Sequence, residues 1–198
     1  MLVENMSYIK DYIQSSIAVK QSVLNDTALL NTVAQVVEKC TLALNSGNKI
    51  LIAGNGGSAA DAQHIAAEFV SRFFYDRPGL PAMALTTDTS ILTAIGNDYG
   101  YDKVFSRQIQ AMGNPGDIFI GITTSGNSVN VIKAIEEAKN KGLFTVGLCG
   151  NKGSIIELAE VCLPVPNAVT PYIQECHIML GHIICAMIEK NIFPQGEA

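Results

Sequence analysis

From Lys49 onward the sequence repeats one unit: a short apolar run rich in β-branched residues, a turn that is often Gly-rich, and a helical stretch. The runs at 50–53, 82–85, 118–122, 145–148 and 161–164 are too short for helices and are bounded by turn residues, so they predict five strands. Between and after them the spacing predicts helices over about 58–74, 89–96, 101–112, 128–141, 154–159 and 172–190. Strands separated by helices pair in parallel and need cover on both faces, which predicts a doubly wound, three-layer α/β sandwich of the flavodoxin-like kind. In such sheets a ligand lies beyond the carboxyl ends of the strands. The segments that follow Ala53, Leu85, Ile122 and Leu148 are therefore where chemistry is expected.

Ahead of the first strand, residues 2–48 hold no Pro and no Gly before Gly47. Two helices are expected there, about 4–22 and 27–46, broken near Asn25-Asp26 with Asp26 or Thr27 as N-cap. Leu29, Leu30, Val33, Val36, Val37, Cys40, Leu42 and Leu44 give the second a wide apolar stripe. Such a face packs either on the chain's own sheet or on another subunit. With 198 residues and neither linker nor repeat, the chain reads as one domain, 1–198, comprising a helical segment (1–48) and an α/β core (49–198).

A net charge of −5 argues against nucleic acid as a direct partner. It leaves room for small phosphorylated ligands, which backbone N–H groups bind without a cationic patch. The five cysteines (Cys40, Cys149, Cys162, Cys176, Cys185) show no C-x-x-C spacing and read as free thiols of a reducing cytoplasm. The N-terminus lacks the pattern of a signal peptide, and no apolar run reaches the ~18 residues of a membrane span.

Two turns carry the chemistry. The first is Gly54-Asn55-Gly56-Gly57-Ser58, with Ser58 a plausible N-cap. Gly54, Gly56 and Ala59 also fit G-x-G-x-x-A, a weak dinucleotide signal whose acidic partner would be Asp88. The second is Thr123-Thr124-Ser125-Gly126-Asn127-Ser128, where four hydroxyls meet a helix N-terminus. That arrangement suits a phosphate monoester; a capped turn with Ser128 as N-cap is the simpler alternative. No Lys follows as in a nucleotide-triphosphate loop.

His64 and Glu68 stand four apart on the first turn's helix, hence on one face, with Arg72 a turn further on. The last helix holds Gln174, Glu175, His177 and His182 in an apolar stretch, where polar groups need partners. Gln174 and His182 differ by a rise of roughly 12 Å and about 80° of rotation on a regular helix. Either Gln174 belongs to an irregular start after Pro171, or the two reach different ends of a substrate.

AGNGGSAADAQHIAAEF, Asn97-Asp98, TTSGNS and IQECHIMLGH occur in this order along nearly the whole chain. Together they resemble the phosphoheptose isomerases of the sugar isomerase (SIS) domain class. The resemblance implies isomerisation of sedoheptulose 7-phosphate to glycero-manno-heptose 7-phosphate, the first step toward the heptoses of bacterial surface polysaccharide. It also implies a homotetramer with sites shared between subunits and, in some members, zinc. Carried over, the zinc ligands fall on His64, Glu68, Gln174 and His182. Sugar and phosphate contacts fall on Asn55, Gly56, Gly57, Asn97, Asp98, Thr123, Thr124, Ser125 and Ser128. Pro171-Tyr172 replaces an acidic-Arg pair common before I-Q-E. A ketose–aldose exchange needs a carbon base and a group to serve the oxygens, and Glu68 and His182 are the candidates. The rival is a non-catalytic scaffold of the same class that binds the bacterial replication initiator, to which the ending Ile192-Phe193-Pro194 is similar.

Overall fold

The computed structural model describes residues 2–194. Two long helices lead, α1 (Leu2–Asn25) and α2 (Thr27–Asn45). Between them Asp26 accepts a hydrogen bond from the Leu29 N–H at 2.9 Å, an N-cap worth about 1 kcal/mol. Then follow β1 (Ile50–Gly54), α3 (Gly57–Val70), β2 (Ala82–Ala84), α4 (Thr89–Tyr99), α5 (Ser106–Met112) and β3 (Ile118–Thr123). The remainder comprises α6 (Val129–Asn140), β4 (Phe144–Cys149), α7 (Ile155–Leu158), β5 (Val161–Pro164) and α8 (Thr170–Ile192). The strands form one parallel sheet in the order β2-β1-β3-β4-β5.

Alternation along the central strands sends side chains to two cores. Ile50, Ile52, Ile118, Ile120, Ile122, Val146 and Leu148 face α2, α3 and α8, which contribute Val33, Val36, Cys40, Ile65, Phe69, Leu180 and Ile184. Leu51, Ala53, Phe119 and Cys149 face α5 and α6, which contribute Ile109, Val131, Ala134 and Ile135. Apolar runs without polar alternation are what a sheet covered on both faces requires.

Three helices differ from expectation. The stretch 101–112 is split into a 3₁₀ turn, Tyr101–Lys103, and α5, because Gly100 turns the chain at φ 90° and Asp102 is tied to Lys133 of α6. The helix expected to reach 74 ends at Val70, where Arg77 and Leu80 take the carbonyls of its last turn; Arg72 lies beyond it, exposed. The last helix is longer than expected and regular from Thr170, with Pro171 in its first turn. α1 buries Val19 and Val23 but leaves Met6, Ile9, Ile13, Ile17 and Leu24 exposed on its outer side.

Candidate active site

β1 and β3 are neighbours at the place where the strand order reverses, the position at which doubly wound sheets bind ligands. Both Gly- and hydroxyl-bearing turns leave this point, one entering α3 and the other α6. The side chains of Asn55 and Asn130 exchange hydrogen bonds of 2.8 and 2.9 Å across it, and the Tyr101 hydroxyl reaches Asn55 at 3.4 Å.

In the second turn Thr123 Oγ1 lies 2.8 Å from the Ser128 hydroxyl and 3.3 Å from that of Ser125. Ser128 occupies the N-cap position of α6, yet its side chain makes no capping bond. The hydroxyls are gathered with one another instead, beside the positive end of the α6 dipole. Gly126 has φ 71°, and a Cβ there would lie 2.2 Å from the Lys152 carbonyl oxygen, so only glycine fits this turn against the loop at 152–153. In the first turn Gly56, not Ser58, is the N-cap residue, and Ser58 is buried inside α3.

The second cluster comes from two helices. His64 Nε2 is 3.1 Å from Glu68 Oε1, one turn along α3, and 2.8 Å from His182 Nε2 on α8. One imidazole must carry its hydrogen on Nε2 for that last contact. Glu68 and His182 are half-buried and His64 is exposed. α8 closes on α3 at Gly181, where a Cβ would stand 2.6 Å from Ile65 Cδ1; this approach brings His182 to His64. The Phe73 ring covers His182 at 5.6 Å between centroids.

The other expected residues are spread around these clusters. The Gln174 amide lies against Gly57 at the start of α3, two turns ahead of His64. Asn97 and Asp98 are exposed in the last turn of α4 and bonded to one another at 2.8 Å. Thr124 is half-buried, and Gly56 and Gly57 are exposed. Tyr172 packs against Tyr12 of α1, with ring centroids 5.0 Å apart, so this position serves helix packing. Asp88 caps α4 through the Ile91 N–H, which removes the acidic partner of a dinucleotide reading.

Several neighbours escaped the sequence. Asn130 had a signal, being a polar residue on the buried face of α6 beside Val131 and Ala134. Phe73 and Tyr101 had none, since their positions depend on turns. Asp61, on α3 near His64, has a buried carboxylate oxygen with no hydrogen-bond partner. Burial pushes its pKa up to about 6, while His64 pulls it down.

A family model described as the SIS domain matches residues 11–150. Phosphoheptose isomerase of Aneurinibacillus thermoaerophilus is 63% identical over 187 residues, 94% of each chain. The chain belongs to the phosphoheptose isomerase family. Phosphoheptose isomerase 2 of Campylobacter jejuni is 55% identical over 196 residues, 98% of each chain. Among solved structures, phosphoheptose isomerase from Neisseria gonorrhoeae matches with a TM-score of 0.87 at 43% identity, covering 93% of this chain and 98% of its own. The scaffold reading finds no support: these relatives are phosphoheptose isomerases, and Ile192 and Phe193 pack on the core of their own chain.

As a member of this family the chain can be asked whether its residues fit zinc. His64, Glu68 and His182 offer two imidazole nitrogens and a carboxylate oxygen, all within 4.8 Å of one another. That donor set, two imidazoles and a carboxylate, is of the kind found at catalytic zinc sites. The residues fit.

Proposed function

We propose that this chain interconverts sedoheptulose 7-phosphate and D-glycero-D-manno-heptose 7-phosphate, the first step toward nucleotide-activated heptose for lipopolysaccharide or capsule. The observation that carries the reading is the meeting of Glu68 and His182 at His64, in a chain that also carries a hydroxyl-lined turn at the β1/β3 switch point. The phosphate rests on Thr123, Thr124, Ser125 and Ser128 and on the N-terminal N–H groups of α6. Asn55, Gly56, Gly57, Asn97, Asp98 and Gln174 contact the sugar. The Glu68 carboxylate takes a proton from C1 of the ketose and returns it to C2 of the enediol. The His182 imidazole gives a proton to the oxygen on C2 and receives one from the oxygen on C1. His64, its Nε2 3.1 Å from Glu68 and 2.8 Å from His182, spaces the two.

Zinc would be held by His64, Glu68 and His182; Gln174, expected as a fourth ligand, lies against Gly57 two turns along the regular α8 from His182 and does not reach them within one chain. When bound there it supplies Lewis-acid polarisation of the carbonyl and of the enediolate charge. A carboxylate that also serves as ligand is a weaker base, so Glu68 in the base role works best when loosely held.

The exposed stripe of α1 (Met6, Ile9, Ile13, Ile17) supports a homotetramer with sites shared between subunits. The five free cysteines accord with a reducing cytoplasm. The whole of residues 1–198 is then one SIS domain, with 1–48 its oligomerising segment and 49–198 its core. Light scattering should give a mass of four 21.1 kDa chains; a monomer would remove the shared-site reading.

The test is an assay of purified protein with sedoheptulose 7-phosphate beside Glu68→Gln and His182→Gln. Turnover by the wild type and losses of about 10²- to 10⁴-fold in both variants are expected. No turnover by the wild type sinks the function, and full turnover by both variants sinks the roles.

A further inference from the structure

Arg77 and Glu189 form an ion pair with both side chains sealed from solvent, 2% and 0% exposed, with Arg77 Nε 2.9 Å from Glu189 Oε1. Among the described residues, every other hydrogen bond of either side chain ends on backbone. The Arg77 guanidinium donates to the carbonyl of Glu68 at 2.8 Å and to that of Phe69 at 2.6 Å, and more weakly to those of Ser71 and Pro78. The Glu189 carboxylate accepts from the Phe73 N–H at 2.8 Å and the Phe74 N–H at 2.7 Å. The pair therefore closes the end of α3 at the residue that carries the base. It also fixes the turn that lays Phe73 over His182.

Stability alone does not account for this arrangement. A buried ion pair is commonly no more stabilising than apolar residues of the same volume, because both charges must leave water. What an apolar pair cannot do is grip specific carbonyl and N–H groups. Here those groups include the carbonyl of Glu68 and the N–H of Phe73, the residue covering His182. Glu189 stands seven residues after His182, two turns along the same face of α8. The two helices that bring the trio together are thus tied a second time, one level below it.

We propose that Arg77 and Glu189 are positioning residues that hold Glu68 and His182 in mutual register; the inference rests on the isomerase reading above. The pair touches neither reacting atoms nor the phosphate turn. Its removal acts on the chemical step and leaves phosphate binding alone.

The experiment compares wild type with Arg77→Met/Glu189→Leu, which removes both charges together, and with Arg77→Lys, which keeps the charge and loses the fork. In the double variant kcat for sedoheptulose 7-phosphate falls by about 10- to 100-fold while KM stays within about twofold. The His182 imidazole resonances move, and the amides of Phe73 and Phe74 exchange faster. Arg77→Lys gives the same signs with smaller amplitude, and it carries the test if the double variant fails to fold. A folded variant with wild-type kcat and unmoved His182 resonances overturns the proposal. If the wild type itself shows no turnover, the isomerase reading fails, and the resonances of His182 still decide whether the pair positions it.

Discussion

The two clusters of the site are built in opposite ways. The hydroxyl turn is local: Thr123, Ser125 and Ser128 bond to one another within a single stretch. Its shape is set by the central strand β3 before it, the helix after it, and the contact of Gly126 with the neighbouring loop. The acid/base trio is global. His64 and His182 meet from helices whose contact spans 118 residues of sequence, and that contact depends on Gly181, Ile65 and the buried Arg77–Glu189 pair. A local turn can bind phosphate in any protein of this fold, whereas the trio exists only when α3 and α8 lie at the right separation. In the proposed function, binding belongs to the first cluster and reaction to the second.

That division can be broken from either side. The largest effect is expected at the helix contact: Gly181→Leu forces α8 away from Ile65 and should lower kcat about 10²-fold with KM little changed. Gly181→Ala combined with Ile65→Ala, which deletes both the Cδ1 and the Cγ1 that the new methyl would strike, should cost much less turnover than Gly181→Leu. A rise in KM with kcat intact would show that the two clusters are not separate. Ser128→Ala should do the reverse. A lost hydrogen bond to a charged phosphate is worth about 1.5–3 kcal/mol, so KM rises about tenfold or more while kcat holds. Steady-state kinetics with sedoheptulose 7-phosphate reads both.

The smallest effect on turnover is expected at His177, which is fully buried on α8 and donates to the Cys149 carbonyl through Nε2 at 3.1 Å. Burial lowers its pKa from 6.5 to about 4, against the pull of that carbonyl. Between those two values the unfolded chain binds a proton that the folded chain does not, so stability falls as pH falls. The loss by pH 4 is about 3 kcal/mol from this group alone. His177→Gln, which keeps a donor for Cys149, should flatten that part of the stability curve and leave turnover at neutral pH unchanged. Denaturant melts at pH 7, 5.5 and 4 measure it; an unchanged slope between variant and wild type would contradict the assignment.

The same division explains what could be read from the sequence. All five strands, the Asp26 break and the hydroxyl turn are local patterns, and each is present within a residue or two of its expected position. The alternative of a capping side chain at Ser128 fails because its hydroxyl has a better partner in Thr123, five residues away. The end of α3 was misjudged because Arg77, beyond a turn, takes the carbonyls that would have continued the helix. Glu189 and Phe73 were invisible for the same reason: their meaning lies in what α8 and the 71–80 turn do together. His64, Glu68 and His182 were singled out, but only the packing of Gly181 against Ile65 brings them within 4.8 Å.

The most direct test of the account is the fate of the proton that Glu68 moves. Sedoheptulose 7-phosphate incubated with the protein in D₂O should acquire deuterium at the exchanging carbons in the wild type. Ser128→Ala, saturated with substrate, should match it, while Glu68→Gln should show none. Deuterium incorporation by Glu68→Gln at the wild-type rate would contradict the assignment of the carbon base, and with it the claim that the trio performs the reaction.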